Sequence, residues 1–482
     1  MAFDATHPQV SAESAMPGRP EHLHSQRDLS LVLVAIGLAG LSFAVMQSLV
    51  IPVLPLIRQE MGSSTGAVTW VLTGNLLSSA IATPILGRVG DLFGKKWVLV
   101  ATLGVLLMGT LLAAISTTLP VLIVARVIQG VGGGLFPLAF GIVRDRFPED
   151  RVPGAIGLIS STLAFGGGLG VVLAGPIVEH LNYHWLFWIP CPLIAMATVA
   201  IAVLVPHEPG VHSGRINWAG AVALSAWMTA LLLGLTEGPR LGWTSPVVLG
   251  LFLASLVFFA LWVLSERRAT TPLVDLRMLV RPAVWRFNLV AFLFGIVLYS
   301  SFRIVPELLQ TPTSTGYGFG ATVSESGLYL LPQTMAAFVL GLMAGGIERR
   351  IGSARAVVAG SMVGAVALTM LAIAHDQGWQ VLVASTLLGV GTGLTYAAIP
   401  AVIVDAVPRS QTGVATGVNT NVRTIGGAVG SQLTAGILTS GIAIGAVPPE
   451  ARFVAVFVVL AAVSLVAVAV GLSRGRKTLG EP

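Results

Sequence analysis

The sequence predicts an all-α protein that crosses a membrane many times. Of its 482 residues, 55% are hydrophobic and only 10% are charged, whereas a soluble protein of this length carries about a quarter charged residues. Apolar runs follow one another along the whole chain, and each is close to the length of about 20 residues that a helix needs to cross the hydrocarbon core. These two observations indicate a polytopic membrane protein that lies in a lipid bilayer.

Fourteen apolar runs are predicted to be transmembrane helices. They cover residues 30–55, 67–87, 97–117, 120–143, 153–177, 184–205, 217–236, 246–265, 284–309, 326–346, 356–374, 379–404, 411–440 and 452–472. The residues before the first run do not have the pattern of a cleaved secretory signal, so we expect that run to remain as an anchor.

The distribution of basic residues predicts the orientation. If both termini are cytoplasmic, 21 of the 27 lysines and arginines fall in cytoplasmic segments. Only Arg58, Arg240 and Arg452 then lie outside, and Arg126, Arg303 and Arg423 lie within spans. Because lysine and arginine remain on the cytoplasmic side, we expect a multi-pass protein of the inner (plasma) membrane with both termini in the cytoplasm.

Several classes of function are disfavoured by composition. The basic residues are scattered among apolar segments rather than gathered into a stripe, so no nucleic-acid partner is expected. Cys191 is the only cysteine, and no spacing typical of a zinc site appears, so neither a disulfide nor a metal site is predicted. The eight histidines fall in tails or loops without a neighbouring nucleophile, which leaves a membrane enzyme as a disfavoured alternative.

An internal repeat divides the chain. Three pieces recur in the same order at an offset of 259 or 260 residues: GVGGGL of 130–135 as GVGTGL of 389–394, Asp145 as Asp405, and the glycines of 166–170 as those of 426–430. The predicted domains are a tail at 1–29, a six-helix half at 30–205, a linker with two extra helices at 206–283, a second six-helix half at 284–472 and a tail at 473–482. A duplicated six-helix unit is typical of an alternating-access transporter.

The loop GRVGDLFGKK at 87–96 lies between the second and third spans. It resembles a loop signature of the major facilitator superfamily, with the matching residues Gly87, Asp91, Gly94, Lys95 and Lys96. The glycines allow helices to approach, and an acid here can cap or pair with a neighbouring helix. We expect Asp91 to act as a gating latch at the cytoplasmic rim rather than as a substrate ligand.

The stretch RVIQGVGGG at 126–134 resembles a second signature of this superfamily. Arg126 and Gln129 are three residues apart and share one face of the fourth span. An arginine inside a span must face protein or water and find partners. The repeat places Ser385 at the equivalent position, so the arginine is predicted to serve function, facing a central cavity and taking part in proton coupling.

The whole chain, with the run GVATGVNTNVRTIGGAVG at 413–430, resembles the fourteen-helix drug:proton antiporter branch of the superfamily. This resemblance implies the major facilitator fold, export of small organic molecules, a proton gradient as the energy source and no cofactor. We also expect a monomer. Two departures keep an importer or a uniporter as the alternative. Met46 stands where the branch places an acid, and the fifth span carries Val171 and Ala174 within an altered signature.

The glycines of the fifth and thirteenth spans are predicted to serve close helix packing. The predicted packing residues are Gly166, Gly167, Gly170, Gly175 and Pro176, with Gly426, Gly427 and Gly430.

The ninth span contains the candidate for a proton-carrying acid. Its segment SFRIVPELLQ holds Arg303, Pro306 and Glu307. Glu307 is expected to be the only acid within an apolar span. The pair is interpreted either as an exposed i,i+4 ion pair at the outer rim, or as a coupling site in which Pro306 turns Glu307 into the cavity. Arg423 is a secondary candidate that is expected near the cytoplasmic end, within reach of lipid phosphates.

Overall fold

The computed structural model describes residues 26–206, 216–440 and 447–473, and in these ranges the chain forms helices and no strand. Most of the two predicted tails, and residues 207–215 of the predicted linker, lie outside the described residues. The all-α prediction is confirmed.

Fourteen long helices follow one another over the described ranges. They are α1 (Gln26–Leu49), α2 (Thr65–Phe93), α3 (Lys95–Ala114), α4 (Leu119–Arg146), α5 (Val152–His180), α6 (Trp185–Leu204), α7 (Trp218–Leu241), α8 (Pro246–Arg268), α9 (Pro282–Gln310), α10 (Val323–Ile351), α11 (Ser353–Ile373), α12 (Gly378–Ala406), α13 (Thr412–Thr439) and α14 (Glu450–Leu472). Each corresponds to one predicted span.

Among the described residues, 13 of these helices are long and apolar enough to cross a membrane. The exception is α13, whose first half reads TGVATGVNTNVRT and is rich in polar residues. That half packs against α2, α4 and α9 inside the bundle, where polar side chains find protein partners instead of lipid. The count of fourteen spans therefore stays a prediction.

The helices turn at two ends of the bundle. We call one of them the basic end, because Lys95, Arg144 and Arg409 lie there. Lys95 Nζ is 2.7 Å from Asp145 Oδ2, and an Arg144 guanidinium N–H donates to Thr412 Oγ1 at 3.0 Å. The opposite end is called the far end.

Two single-glycine turns at the basic end reproduce the sequence repeat. Gly94 alone separates α2 from α3, and Gly352 alone separates α10 from α11. Their φ angles are +95° and +86°, values that a residue with a Cβ adopts only with strain. A left-handed glycine thus reverses the chain at the same point of both repeats.

Glycines of α5 lie where this helix approaches α1 closely. A Cβ added to Gly166 would lie 2.7 Å from the Cβ of Ala44, and one added to Gly170 would lie 2.6 Å from the Val45 carbonyl oxygen. The Ser48 hydroxyl of α1 donates across this contact to the Gly166 carbonyl at 3.2 Å. Close backbone approach is the means by which small residues join membrane helices.

The equivalent contact joins α13 to α9. A Cβ added to Gly430 would lie 2.6 Å from the Ile296 carbonyl oxygen. Gly426 lies against the Phe292 carbonyl of α9, and Gly427 lies against the Tyr299 ring. The glycines of the two repeats therefore serve the same purpose in two helix pairs.

Gly167 is a correction to the predicted set of packing residues. Among the described residues, no heavy atom outside its own helical turns lies within 4 Å of a Cβ added there. One residue along a helix turns the side chain about 100° away from the packed face. Gly175 does pack, with Ser324 Oγ of α10 lying 2.7 Å from an added Cβ. Pro176 lies within α5 at an exposed position.

The two predicted extra helices form a hairpin at the side of the bundle. α7 packs on α8 and also reaches α2 and α13. In α8 only 17% of the most apolar window is buried, and Leu253 and Leu256 are 63% and 65% exposed. Such an apolar outer face fits contact with lipid.

Candidate functional site

Arg126 of α4 is completely buried, at 0% exposure. Its Nε donates to the Val71 carbonyl of α2 at 3.1 Å, and its Nη1 donates to Gln129 Oε1 at 2.8 Å. The contact between Arg126 and Gln129 follows the three-residue spacing from which it was expected. A guanidinium in an apolar interior is tolerated only when its N–H groups find acceptors, and here a carbonyl and an amide supply them.

A chain of polar contacts extends from this guanidinium into α3 and α1. Gln129 Nε2 donates to Thr110 Oγ1 at 3.2 Å, and the Thr110 hydroxyl lies 3.3 Å from Met46 Sδ. Met46, which stands where the resemblance predicted an acid, is fully buried beside this network. A carboxylate there would meet the Thr110 hydroxyl, whereas the thioether offers only a weak acceptor.

A second set of hydrogen bonds joins Arg126 to Asn75 of α2 and then to the half-buried side chain of Gln47. Asn75 Nδ2 donates to the Arg126 carbonyl at 3.0 Å, and Gln47 Nε2 donates to Asn75 Oδ1 at 3.1 Å. Sequence reasoning missed Gln47, Asn75 and Thr110, although each is a polar residue within an apolar run. Only the fold reveals that they join the hydrogen-bond network of Arg126.

The expectation that Arg126 faces a cavity is not met in this conformation, because the whole side chain is enclosed by α2, α3 and α4. Over the described ranges, no carboxylate forms an ion pair with it. Its role in proton coupling stays a prediction.

Arg303 and Glu307 lie near the far end of α9 on a partly exposed stripe. The Arg303 Nε lies 3.5 Å from Glu307 Oε2, and the two side chains are 44% and 37% exposed. Tyr299, one turn nearer the basic end, is 40% exposed and lies on Gly427 of α13. The 3.5 Å separation and the exposure describe a loose ion pair that contributes little to stability.

Glu307 is not the only acid within an apolar helix, which corrects the prediction. α10 continues to Ile351, five residues beyond the predicted end of its span, and so contains Glu348. This side chain is 4% exposed, and the Ser353 hydroxyl donates to its Oε2 at 2.7 Å. The sequence offered a signal in GIERRIG of 346–352, which is a degenerate copy of the 87–94 loop.

Arg423 lies inside the bundle rather than at the lipid surface, which is a further correction. It is 5% exposed, and its guanidinium carbon stacks 4.3 Å from the centre of the Tyr396 ring of α12. Tyr396 in turn meets Phe294 edge-to-face at 5.7 Å. A buried arginine on an aromatic face gains a cation–π contact, so lipid phosphates are not its partners here.

The segment 87–96 was predicted as a loop but is helical except at Gly94, and it forms a charge cluster at the basic end. Lys95 Nζ lies 2.7 Å from Asp145 Oδ2 and 3.4 Å from Asp91 Oδ1, so it bridges two acids of different helices. Lys96 Nζ lies 4.9 Å above the Trp97 ring. Asp91 itself is only 6% exposed, so its carboxylate contacts protein rather than solvent.

Asp91 is buried because α13 covers it. Its carboxylate faces the Val414 amide in the first turn of α13, where the helix dipole favours a negative charge. Beside it the backbones touch, since a Cβ on Gly87 would lie 2.6 Å from the Gly413 carbonyl oxygen and one on Gly417 would lie 3.2 Å from Pro84 Cα. The contact joins the first six helices to the last six.

A quasi-equivalent contact lies on the other side of the basic end. Gly345 of α10 lies against the Gly154 backbone of α5, at offsets of 258 and 259 residues from Gly87 and Gly413. The α5–α10 contact continues along the bundle, and the Ser324 hydroxyl donates to Glu179 Oε1 at the far end at 2.8 Å. By contrast, α2 and α13 meet in their basic halves, up to the bond from Asn421 Nδ2 to the Ala80 carbonyl at 2.7 Å.

A family model for the Major Facilitator Superfamily matches residues 36–431. The chain belongs to the Major Facilitator Superfamily. Its family and relatives are transporters rather than enzymes. Members of this superfamily generally need no cofactor and are driven by ion gradients. The resemblance of the loop at 87–96 and of the stretch at 126–134 to superfamily signatures is thereby confirmed at the level of the family.

Several relatives have names connected with drug and antibiotic resistance. The chain is 27% identical over 377 residues to multidrug resistance protein 3 of Bacillus subtilis, which covers 77% of this chain and 72% of that protein. It is 28% identical over 414 residues to the tetracenomycin C resistance and export protein of Streptomyces glaucescens. This match covers 85% of this chain and 76% of that protein. It is 29% identical over 383 residues to the methylenomycin A resistance protein of Streptomyces coelicolor, covering 78% of each.

Solved structures of superfamily transporters share the fold. The human organic anion transporter MFSD10 aligns with a TM-score of 0.66 at 15% identity, over 92% of this chain and 99% of that one. The proton:xylose symporter XylE aligns with a TM-score of 0.65 at 13% identity, over 92% of this chain and 95% of that one. The predicted major facilitator fold is confirmed.

Proposed function

We propose that this superfamily member exports small organic molecules in exchange for protons, by alternating access between two six-helix halves. The halves are those of 30–205 and 284–472, with α7 and α8 as an inserted hairpin. The relatives' connection with multidrug and antibiotic resistance supports a drug-like substrate. A cavity between two halves of a transporter binds such molecules near the midplane.

One observation carries the proposal: the two ends of the bundle differ. At the basic end, Asp91 of the first half is buried against the first turn of α13 in the second half. Near the far end, Glu307 is 37% exposed beside Arg303 on the stripe that continues from Tyr299. This combination fits a conformation closed at the basic end, in which the acid on α9 is open to protons from the far side.

The orientation belongs to the same proposal. With the basic end in the cytoplasm, as the positive-inside rule requires, the closed latch faces inward and Glu307 faces outward. We propose an inner-membrane protein with cytoplasmic termini that acts as a monomer. Protonation of Glu307 from outside weakens its pairing with Arg303, and release of that proton to the cytoplasm resets the pair.

A facilitator-fold importer or uniporter is the second candidate, and two observations favour it. Met46 fills the position of the membrane acid in related exporters, and over the described residues Arg126 has no carboxylate partner. A transporter without an acid on its central helices has no obvious proton carrier in the first half.

Counterflow in proteoliposomes tests the choice between these functions. Vesicles with the purified protein are loaded with unlabelled ethidium, or with a neutral antibiotic, and uptake of the labelled compound is followed with and without a pH gradient. An exporter of this kind accumulates the compound on the acidic side of the membrane. Exchange that a pH gradient leaves unchanged would contradict antiport and favour the uniporter.

A further inference from the structure

A histidine and two carboxylates meet at the far end, away from the site described above. His375 and Asp376 lie in the loop between α11 and α12, and Glu450 is the first residue of α14. His375 Nε2 lies 3.2 Å from Glu450 Oε1, and one potential ligand atom from each of the three residues lies within 4.8 Å of the others. Because 75 positions separate His375 from Glu450, no sequence spacing announces the cluster.

The histidine is buried without the hydrogen bonds that a buried imidazole normally makes. His375 is 3% exposed, and neither Nδ1 nor Nε2 has a hydrogen-bond partner of normal geometry among the described residues. Leaving buried polar atoms unsatisfied costs stability. Asp376 and Glu450 are exposed, so solvent reaches the carboxylate side of the cluster.

We propose that His375 Nε2 and the carboxylates of Asp376 and Glu450 bind a divalent transition-metal ion, with Zn²⁺ as the best fit. Imidazole nitrogen with carboxylate oxygen is a donor set that Zn²⁺ accepts, whereas Mg²⁺ and Ca²⁺ prefer oxygen alone. Two ligand atoms that are each about 2.1 Å from a tetrahedral Zn²⁺ lie roughly 3.4 Å apart, close to the 3.2 Å between His375 and Glu450. Water completes the fourth position.

Neighbouring contacts hold the cluster in place. The Tyr317 hydroxyl donates to the Pro448 carbonyl just before α14, and the Tyr317 ring packs 5.8 Å from Phe453. The His375 ring lies 6.4 Å from Phe457, one turn further along α14. These contacts fix the start of α14 beside the loop of His375, so only the exposed Asp376 side chain has to rotate toward the ion.

The position of the cluster predicts what the ion does. All three residues come from the last six helices, which the proposed transport cycle moves as one body. A bound ion therefore ties the α11–α12 loop to α14 without linking the two halves. We expect it to stabilise the protein and to leave the transport rate within about twofold, since no contact across the halves is made or broken.

Metal titration of the purified full chain in nanodiscs tests this site, with the buried Cys191 replaced by serine and a purification tag that contains no histidine. Zn²⁺ is titrated against a chromophoric chelator, Co²⁺ binding is followed by its visible absorption, and melting is recorded with and without Zn²⁺. We expect one Zn²⁺ per chain, a higher melting temperature with Zn²⁺, and an affinity at least about tenfold lower in His375→Ala and Glu450→Gln.

His184→Ala is the matched control, because His184 also lies at the far end but its Nδ1 is 2.9 Å from the Ala114 carbonyl. This variant should bind Zn²⁺ like the parent protein. Equal Zn²⁺ stoichiometry and affinity in His375→Ala and the parent would overturn the site, as would the absence of Zn²⁺-dependent stabilisation in a correctly folded parent. The titration does not depend on transport, so its failure leaves the proposed function standing.

Discussion

At the scale of single residues, Arg126 shows how a membrane protein keeps a charge in its interior. The guanidinium has no carboxylate partner among the described residues but donates to a carbonyl of α2 and to Gln129. Two acceptors at fixed angles suit the planar fork of arginine and do not suit an ammonium group. The side chain therefore joins α2 to α4 through directed bonds as well as through its charge.

Arg126→Lys keeps the charge but loses the fork, so the Val71 carbonyl or Gln129 Oε1 loses its donor. We expect the free energy of unfolding to fall by about 1–3 kcal/mol and proton-driven transport to fall severalfold. Arg240→Lys is the control, because that side chain is 62% exposed in a far-end pair with Glu237. Full gradient-driven transport by Arg126→Lys would reduce Arg126 to a structural role.

Asp91 belongs to the first half, and its carboxylate faces the first turn of α13 in the second half. Asp91→Asn keeps the shape and removes the negative charge from the first turn of α13, an interaction worth about 0.3–2 kcal/mol. We expect slower turnover with nearly unchanged substrate affinity, measured as transport rate and as binding in nanodiscs. Glu149→Gln, which breaks a surface pair with Arg409 from a side chain that is 90% exposed, should have a smaller effect. Unchanged turnover in Asp91→Asn would rule out the latch.

Some contacts of these residues could be predicted from the sequence and others could not, for a physical reason. Helical spacing is local information, so the contact between Arg126 and Gln129 could be derived from three residues of separation. The contacts of Arg126 with Val71 and Asn75 bring together positions more than fifty residues apart, and one sequence does not reveal them. The same holds for the Tyr396 ring under Arg423.

At the scale of helices, glycine determines which pairs touch. The α2–α13 contact at the basic end needs Gly87 and Gly413 because backbone atoms fill the space of a Cβ. The predicted span ends were less accurate than the spans themselves, since α10 extends to Ile351 with charged residues in its last turns. Hydropathy ends a span at the first charges, whereas hydrogen bonding continues the helix past them, and Glu348 was missed for that reason.

Gly87→Ala tests the α2–α13 contact. The added methyl would lie 2.6 Å from the Gly413 carbonyl oxygen, so the basic end should open. Gly346→Ala is the matched control at the same end, because no described heavy atom outside its own helical turns lies within 4 Å of the added Cβ.

Spin labels at Asp150→Cys and Ser410→Cys, in a Cys191→Ser background, report the separation across this end. We expect a longer distance population with Gly87→Ala and the parent distribution with Gly346→Ala. An unchanged distribution for both variants would mean that this contact does not keep the basic end closed.

At the scale of the whole molecule, the composition and the internal repeat were sufficient to predict the fold class. All fourteen predicted runs became helices, and repeat positions such as Gly94 and Gly352 adopt the same backbone conformation. What could not be predicted is the asymmetry between the two contacts of the halves. α5 and α10 touch along the bundle, whereas α2 and α13 touch only toward the basic end, and this difference depends on conformation rather than on composition.

The topology has its own test. Reporter fusions after Pro209 and after Glu266 should both read cytoplasmic, and a fusion after Trp243, in the turn between α7 and α8, should read external. These readings follow from the positive-inside rule applied to the fourteen helices. A cytoplasmic reading after Trp243 would show that the α7–α8 hairpin does not cross the membrane.

The central claim is that Glu307 couples proton entry to export, and Glu307→Gln tests it most directly. Proton-driven uptake into inverted vesicles is measured together with substrate exchange in the absence of a gradient. Glu237→Gln is the control, because Glu237 also pairs with an arginine at the far end, at 2.7 Å from Arg240. We expect Glu307→Gln to lose driven uptake and to keep exchange, and we expect Glu237→Gln to retain both. Normal driven uptake by Glu307→Gln would contradict the central claim and leave Arg303 and Glu307 as an exposed ion pair.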